Sequence, residues 1–184
     1  PDHSKFFGTS LTLEYDLSDS ISIKNITGYR KNNIKEHSNI AGQGNLLGPV
    51  LDPATGDISI QSVTPYILPL NDTHDHQFTN ELQLLGKSDE FNYVLGLFYL
   101  RSKGELINPN VFTFVLEGGE LGINQNLTRR MKLITKSYAA YGQLSWRPEA
   151  LDRRLEVTGG FRFTRDEKDA DENTTFNGLP ANIR

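Results

Sequence analysis

The chain has 184 residues, a net charge of −4 and no cysteine. Disulfide frameworks, cysteine zinc sites and cysteine nucleophiles are therefore excluded. A pI of about 5.6 with scattered Lys and Arg argues against nucleic-acid binding, which needs a basic face. The longest apolar run, Val94–Leu100, falls far short of the roughly 20 residues of a membrane-spanning helix.

The first predicted strand runs from about Phe7 to Asp16. Leu11, Leu13, Tyr15 and Leu17 share one parity, and Thr12, Glu14 and Asp16 share the other, the period of a half-exposed strand. A turn over Asp16–Ser20 leads to a second strand from Ile21 to about Lys31. Its apolar parity holds Ile21, Ile23, Thr27 and Tyr29, with Asn25 as a blemish. Residues 32–75 are rich in turn signals: GQGN at 42–45, GP at 48–49, DPATGD at 52–57. They are expected to form a long loop, with Ile58–Val63 as a small strand within it.

The third strand runs from about His76 to Leu85, with Phe78, Leu82 and Leu84 on the apolar parity. Gly86–Glu90 is a hairpin turn. The fourth, Phe91 to about Arg101, carries Phe91, Tyr93, Leu95, Leu97 and Tyr99 on one face. A second long loop is expected over 102–134, with Val111–Leu116 open to either a strand or a helical turn. The fifth strand runs from Thr135 to Trp146, with Tyr138, Ala140, Gly142, Leu144 and Trp146 on one face. After a turn over Arg147–Arg154, the sixth runs from Leu155 to about Arg165. A further long loop is expected from Lys168.

The predicted turns therefore alternate short and long. Each strand is about ten residues, the length that crosses a bilayer at a tilt. Aromatic residues sit near both ends of the apolar faces, as in the two girdles of a transmembrane barrel. The expected fold is all-β: an antiparallel up-and-down transmembrane barrel wall, about six strands of a larger barrel, with long extracellular loops. The start at Pro1 and the end at Arg184, inside an Asn/Gly/Pro-rich stretch, read as cuts within a longer protein.

The wording of the strands carries a resemblance. SLTLEYDLSDSISIKNITGYR at 10–30, QFTNELQLLGKSDEFNYVLGLFYL at 77–100 and SYAAYGQLSWRPEALDRRLEVTGGFRFTRDEKD at 137–169 resemble successive strand–turn–strand units of TonB-dependent outer-membrane receptors. The resemblance covers the six strands and neither long loop. It implies that residues 1–184 are part of a plugged barrel of roughly 22 strands, with the plug domain and remaining strands outside this chain. It also implies uptake of a scarce nutrient, most often a ferric siderophore, across the outer membrane of a Gram-negative bacterium. The implied partners are that ligand, outer-membrane lipid, and TonB through an N-terminal segment outside this chain. Six strands are too few to close a barrel, so the chain is not expected to be a stable membrane protein alone.

Candidate site residues are few. Arg30 lies on the polar parity at the loop end of its strand and is the expected ligand contact. With Lys24 and Arg162 it shares that parity with Glu14, Glu81 and Glu156; charge balance across strands is the expected role of these residues, the alternative being a lumen lining that pairs with the plug or steers an anionic ligand. His74 and His76 share a face beside Asp72 and Asp75, but make an incomplete metal-ligand set. The acidic run Asp166–Glu172 lacks the spacing of a calcium loop and is expected to be a solvated loop base. No metal site, no catalytic residue and no cofactor is expected: Ser–His–Asp sets, HExxH and paired carboxylates in a cleft are missing. Gly118-Gly119 and the other Gly-rich stretches lack the βαβ context of a phosphate-binding loop. Two alternatives share parts of the signature, a passive porin-like channel and a soluble carbohydrate-binding β-sandwich.

Overall fold

A computed structural model describes residues 2–38, 46–52, 54–116 and 121–180. The chain forms β1 (His3–Ser18), β2 (Ile21–His37), β3 (Leu46–Leu51), β4 (Ile58–Lys87), β5 (Phe91–Leu116), β6 (Leu121–Trp146), β7 (Val157–Phe176) and β8 (Leu179–Pro180). All belong to one antiparallel sheet in the order β1-β2-β4-β5-β6-β7-β8, with β3 on β4. The sheet is a single layer, open at both edges among the described residues. Burial is correspondingly slight: Ala139 and Ser145 are among the few buried side chains.

The six expected crossing strands are β1, β2, β4, β5, β6 and β7, and the three short turns fall where the sequence places them. The Arg147–Arg154 turn contains a 3-10 turn at Glu149–Leu151, closed by Asp152 in the left-handed region. Cross-strand register confirms the parity assignments within the paired strands; Leu17 falls at a register shift and Leu155 precedes β7, so neither has a cross-strand partner. Tyr15 pairs with Ile23, Ile23 with Leu84, Leu84 with Leu95, Leu95 with Gly142 and Gly142 with Phe161. Directly paired residues share a face, so six separately read apolar strips form one continuous apolar face.

The long loops are where the structure departs from expectation. Residues 32–37 and 58–75 continue β2 and β4, and residues 102–116 continue β5 towards β6. Val111–Leu116 is strand, and Ile58–Val63 is the start of β4, paired with β3. The acidic run 166–172 is also strand, inside β7, which turns at Asn177-Gly178 with positive φ (48° and 82°) into β8. Backbone amides satisfied by a neighbour need no side-chain periodicity to stay extended. The GQGN stretch at 42–45 and Gly118-Gly119 lie outside the described residues.

Candidate functional site: the two faces of the wall

The apolar face is bounded at each end by rings. Phe91 and Trp146 stack across β5 and β6 near the short turns (centroids 6.4 Å, 10°). Towards the long hairpins Tyr99 faces Tyr138 at 5.3 Å, Phe78 meets Tyr99 at 6.3 Å, and Phe7 meets Tyr29 at 6.4 Å. Each crossing strand supplies one ring to this upper girdle: Phe7, Tyr29, Phe78, Tyr99, Tyr138 and Phe163.

These six rings do not share one register row. Phe7 is in line with Lys103 of β5, Tyr29 and Phe78 with Arg101, Tyr138 with Tyr99, and Phe163 with Leu97. The girdle slips six residues of β5 over five strand spacings. With ~3.3 Å per residue and ~4.8 Å per strand, a line through the rings crosses the strands at about 40° from the perpendicular. Barrel strands tilt by roughly 35–45° from the membrane normal, so a level girdle in a tilted sheet has this slant. From Phe91 to Tyr99 the apolar strip of β5 is nine residues, within the roughly 9–11 of a membrane-crossing strand.

Asn25, the blemish on the apolar face, has company. Asn25 and Asn80 exchange amide hydrogen bonds (3.3 and 3.2 Å), Asn80 Nδ2 donates to Thr27 Oγ1 (2.8 Å), and Thr27 Oγ1 donates to Asn25 Oδ1 (3.0 Å). The three side chains satisfy one another, which lowers the cost of polar groups on an apolar surface. Sequence spacing gave no sign of it, because Asn80 is 55 residues from Asn25.

The opposite face is polar. Lys24 pairs with Glu14 at 3.2 Å, as charge balance across strands requires. Tyr141 donates a hydrogen bond to Glu81, and Gln83 Nε2 donates to Glu81 Oε1 (2.8 Å) and to the Tyr141 hydroxyl (2.9 Å). The Arg162 guanidinium lies over the rings of Phe98 (5.5 Å) and Tyr141 (5.8 Å), and its Nε donates to Thr164. The Tyr141 ring covers Gly96, where an added Cβ would collide with it. Glu156 lies beyond the strands and binds Arg147 (2.8 and 2.6 Å), which holds its carboxyl below the usual range.

Arg30 is exposed on this polar face at the base of the β2–β4 extension, beside Gly8 and Gln77 in register. It borders a shallow depression of about 480 Å³ floored by Gly8, Gly28 and Thr79, and makes no ion pair among the described residues. Above it the same face carries Asn71, Asn108 and Asn110, where Asn108 Nδ2 donates to Asn71 Oδ1 (2.6 Å) and Asn110 Nδ2 to Asn108 Oδ1 (2.7 Å). The parity of Ile67, Phe112 and Phe114 puts them further up this face.

The histidines lie on the other face, above the girdle. His74 contacts Asp72 (3.0 Å) and Asn33 (3.0 Å), and His76 Nδ1 is 3.0 Å from the Tyr29 hydroxyl. Among the described residues no three His, Asp or Glu side chains converge on a metal position. In the acidic run, Glu172 pairs with Arg129 (3.1 Å) and Glu167 with Arg165 (2.9 Å).

An antiparallel wall with one apolar face, ringed ends and a slanted girdle is the geometry of an outer-membrane barrel. The family model for TonB dependent receptor-like β-barrels matches residues 1–183. The chain belongs to that family. The search of curated proteins finds no match to the chain. Family membership places the wall in the Gram-negative outer membrane, in a class of receptors and transporters that act through TonB.

Proposed function

We propose that this chain is a segment of the barrel wall of a TonB-dependent receptor, its apolar face against outer-membrane lipid and its polar face towards a plugged lumen. In this reading the ligand is a ferric siderophore, and the extensions of β2, β4, β5 and β6 form the outer mouth that selects it. The observation that carries the reading is the length of those extensions. The strip of β5 from Arg101 to Leu116 adds about 50 Å of strand beyond the girdle, far more than closure of a barrel needs. A ferric chelate wraps its metal in hard oxygen donors and presents an organic, amide-rich jacket. The Asn71–Asn108–Asn110 ladder and the rings above it match that surface, and Arg30 supplies a cation for an anionic one.

The same ladder supports a second reading, a neutral glycan, because amides and aromatic rings also suit sugars and the upper polar face carries few cations. The test is ligand binding by the full-length receptor with and without Arg30→Gln and the double change N71A/N108A. Weakened ferric-siderophore binding in both supports the proposal. Loss of binding in N71A/N108A alone, with a neutral oligosaccharide as the better ligand, favours the glycan.

A further inference from the structure

The outward residue one step above each girdle ring is basic on all six crossing strands. Phe7 is followed by Lys5, Tyr29 by Lys31, Phe78 by His76, Tyr99 by Arg101, Tyr138 by Lys136 and Phe163 by Arg165. The positions are far apart in sequence and on different register rows, and they align only along the 40° slant derived above. Arg101 and Lys136 are direct cross-strand partners, a like-charge pairing that costs stability unless an anion lies over it.

Carboxylates near the belt do not account for it. Glu167 faces Lys136 in register but pairs with Arg165, and Asp72, Glu105, Asp169 and Asp171 sit higher on the same face. Among the described residues Lys5, Lys31, Arg101 and Lys136 have no carboxylate partner. Directly beneath Arg101, Lys136 and Arg165 the apolar face is grooved rather than flat. The small side chain of Ala140 leaves an apolar depression of about 650 Å³ between Leu97, Tyr99, Tyr138 and Phe163, and borders a second of about 360 Å³ below it.

We propose that this belt and groove form a binding site for a phosphate-bearing acyl lipid of the outer leaflet. The phosphate lies across Arg101 and Lys136, with Lys31 and Arg165 flanking, and an acyl chain occupies the groove over Ala140. Charge complementarity selects the headgroup, since each Lys or Arg at a membrane surface attracts an anionic lipid and the attraction sums along a belt. The girdle height sets the depth, because the belt begins where the apolar strip ends. The site rests on the reading that the apolar face contacts lipid, and goes beyond it in naming a headgroup chemistry and its residues.

The experiment uses the full-length receptor purified in mild detergent, with native mass spectrometry as the readout. The probes are diphosphorylated lipid A, its dephosphorylated form, and inorganic phosphate. The expected result is a preference of about tenfold or more for the phosphorylated lipid, insensitive to millimolar inorganic phosphate. The triple variant K31Q/R101Q/K136Q abolishes the preference, while R101K/K136R keeps it. Ala140→Phe, which fills the groove, weakens both lipids. If the triple variant does not fold, the single change R101Q is expected to lower the preference measurably. Equal binding of the two lipids by wild type overturns the belt alone. A preference retained in the folded triple variant, or in R101Q, does the same. Displacement of the lipid by inorganic phosphate overturns the lipid as occupant. Failure to bind either lipid overturns the lipid-facing reading along with the belt.

Discussion

An arginine placed at Leu95 tests which face meets lipid. Leu95 is the fifth of the nine residues from Phe91 to Tyr99, and in register lies between Leu84 and Gly142 on the apolar face. Four residues separate it from each end of the strip, ~13 Å along the strand and, at the 40° tilt, about 10 Å in depth. Leu95 is therefore near mid-membrane, where an arginine on the lipid face of a barrel costs about 2–4 kcal/mol. That is a loss of roughly 30- to 700-fold in the folding constant. Phe91→Arg, at the interface, costs about 0–1 kcal/mol. Val94→Arg, one residue away on the polar face, changes stability by about 0.5 kcal/mol or less. The assay is urea-dependent folding of the full-length receptor into phospholipid vesicles, followed by heat-sensitive gel mobility. A Val94→Arg penalty equal to or larger than that of Leu95→Arg would refute the assignment of faces.

Three other outcomes follow from named contacts. Gly96→Val drives a side chain into the Tyr141 ring and separates Tyr141 from Glu81, so the same folding assay should show a loss of about 1–3 kcal/mol; wild-type stability would mean that the ring does not lie over Gly96. Because Arg147 depresses the Glu156 carboxyl in the folded state, the pair stabilises the fold above the ordinary carboxylate pKa. That contribution disappears as pH falls through the lower folded value. Arg147→Ala should therefore flatten the acid limb of the stability profile, and an unchanged limb would show that this exposed pair contributes nothing. Amide hydrogen exchange in the β5 extension over 103–114 should be slow, as paired strand requires; exchange at the rate of an open loop would contradict the long hairpin.

The crossing strands were legible in the sequence because lipid or solvent sorting leaves a period of two. Tyr15, Ile23, Leu84, Leu95 and Phe161 could each be assigned to a face in isolation, and register then joined them. Apart from Ile58–Val63, the extensions left no such trace. Over 58–77 both faces mix apolar and polar residues, and Pro65 and Pro69, which have no backbone N–H to donate, lie within β4. The acidic run 166–172 likewise looked like a solvated loop because charge hides its role as paired strand. Arg30 was placed correctly on the polar face, yet the Glu81–Gln83–Tyr141 network depends on contacts 58 and 60 residues apart in the chain. The girdle slant and its basic belt belong to the same class. Each Lys or Arg is unremarkable in its own strand, and only the six-strand register aligns them.

The central claim, a wall that crosses the outer membrane with alternate residues facing lipid, is tested most directly by cysteine scanning along β5 in whole cells, made simpler because the chain contributes no native cysteine. Single cysteines at 93, 95 and 97 should resist a water-soluble maleimide. Those at 103 and 105 should react, and the change should fall between Tyr99 and Lys103. Uniform reaction at 93, 95 and 97 in the folded receptor would contradict a membrane-spanning wall.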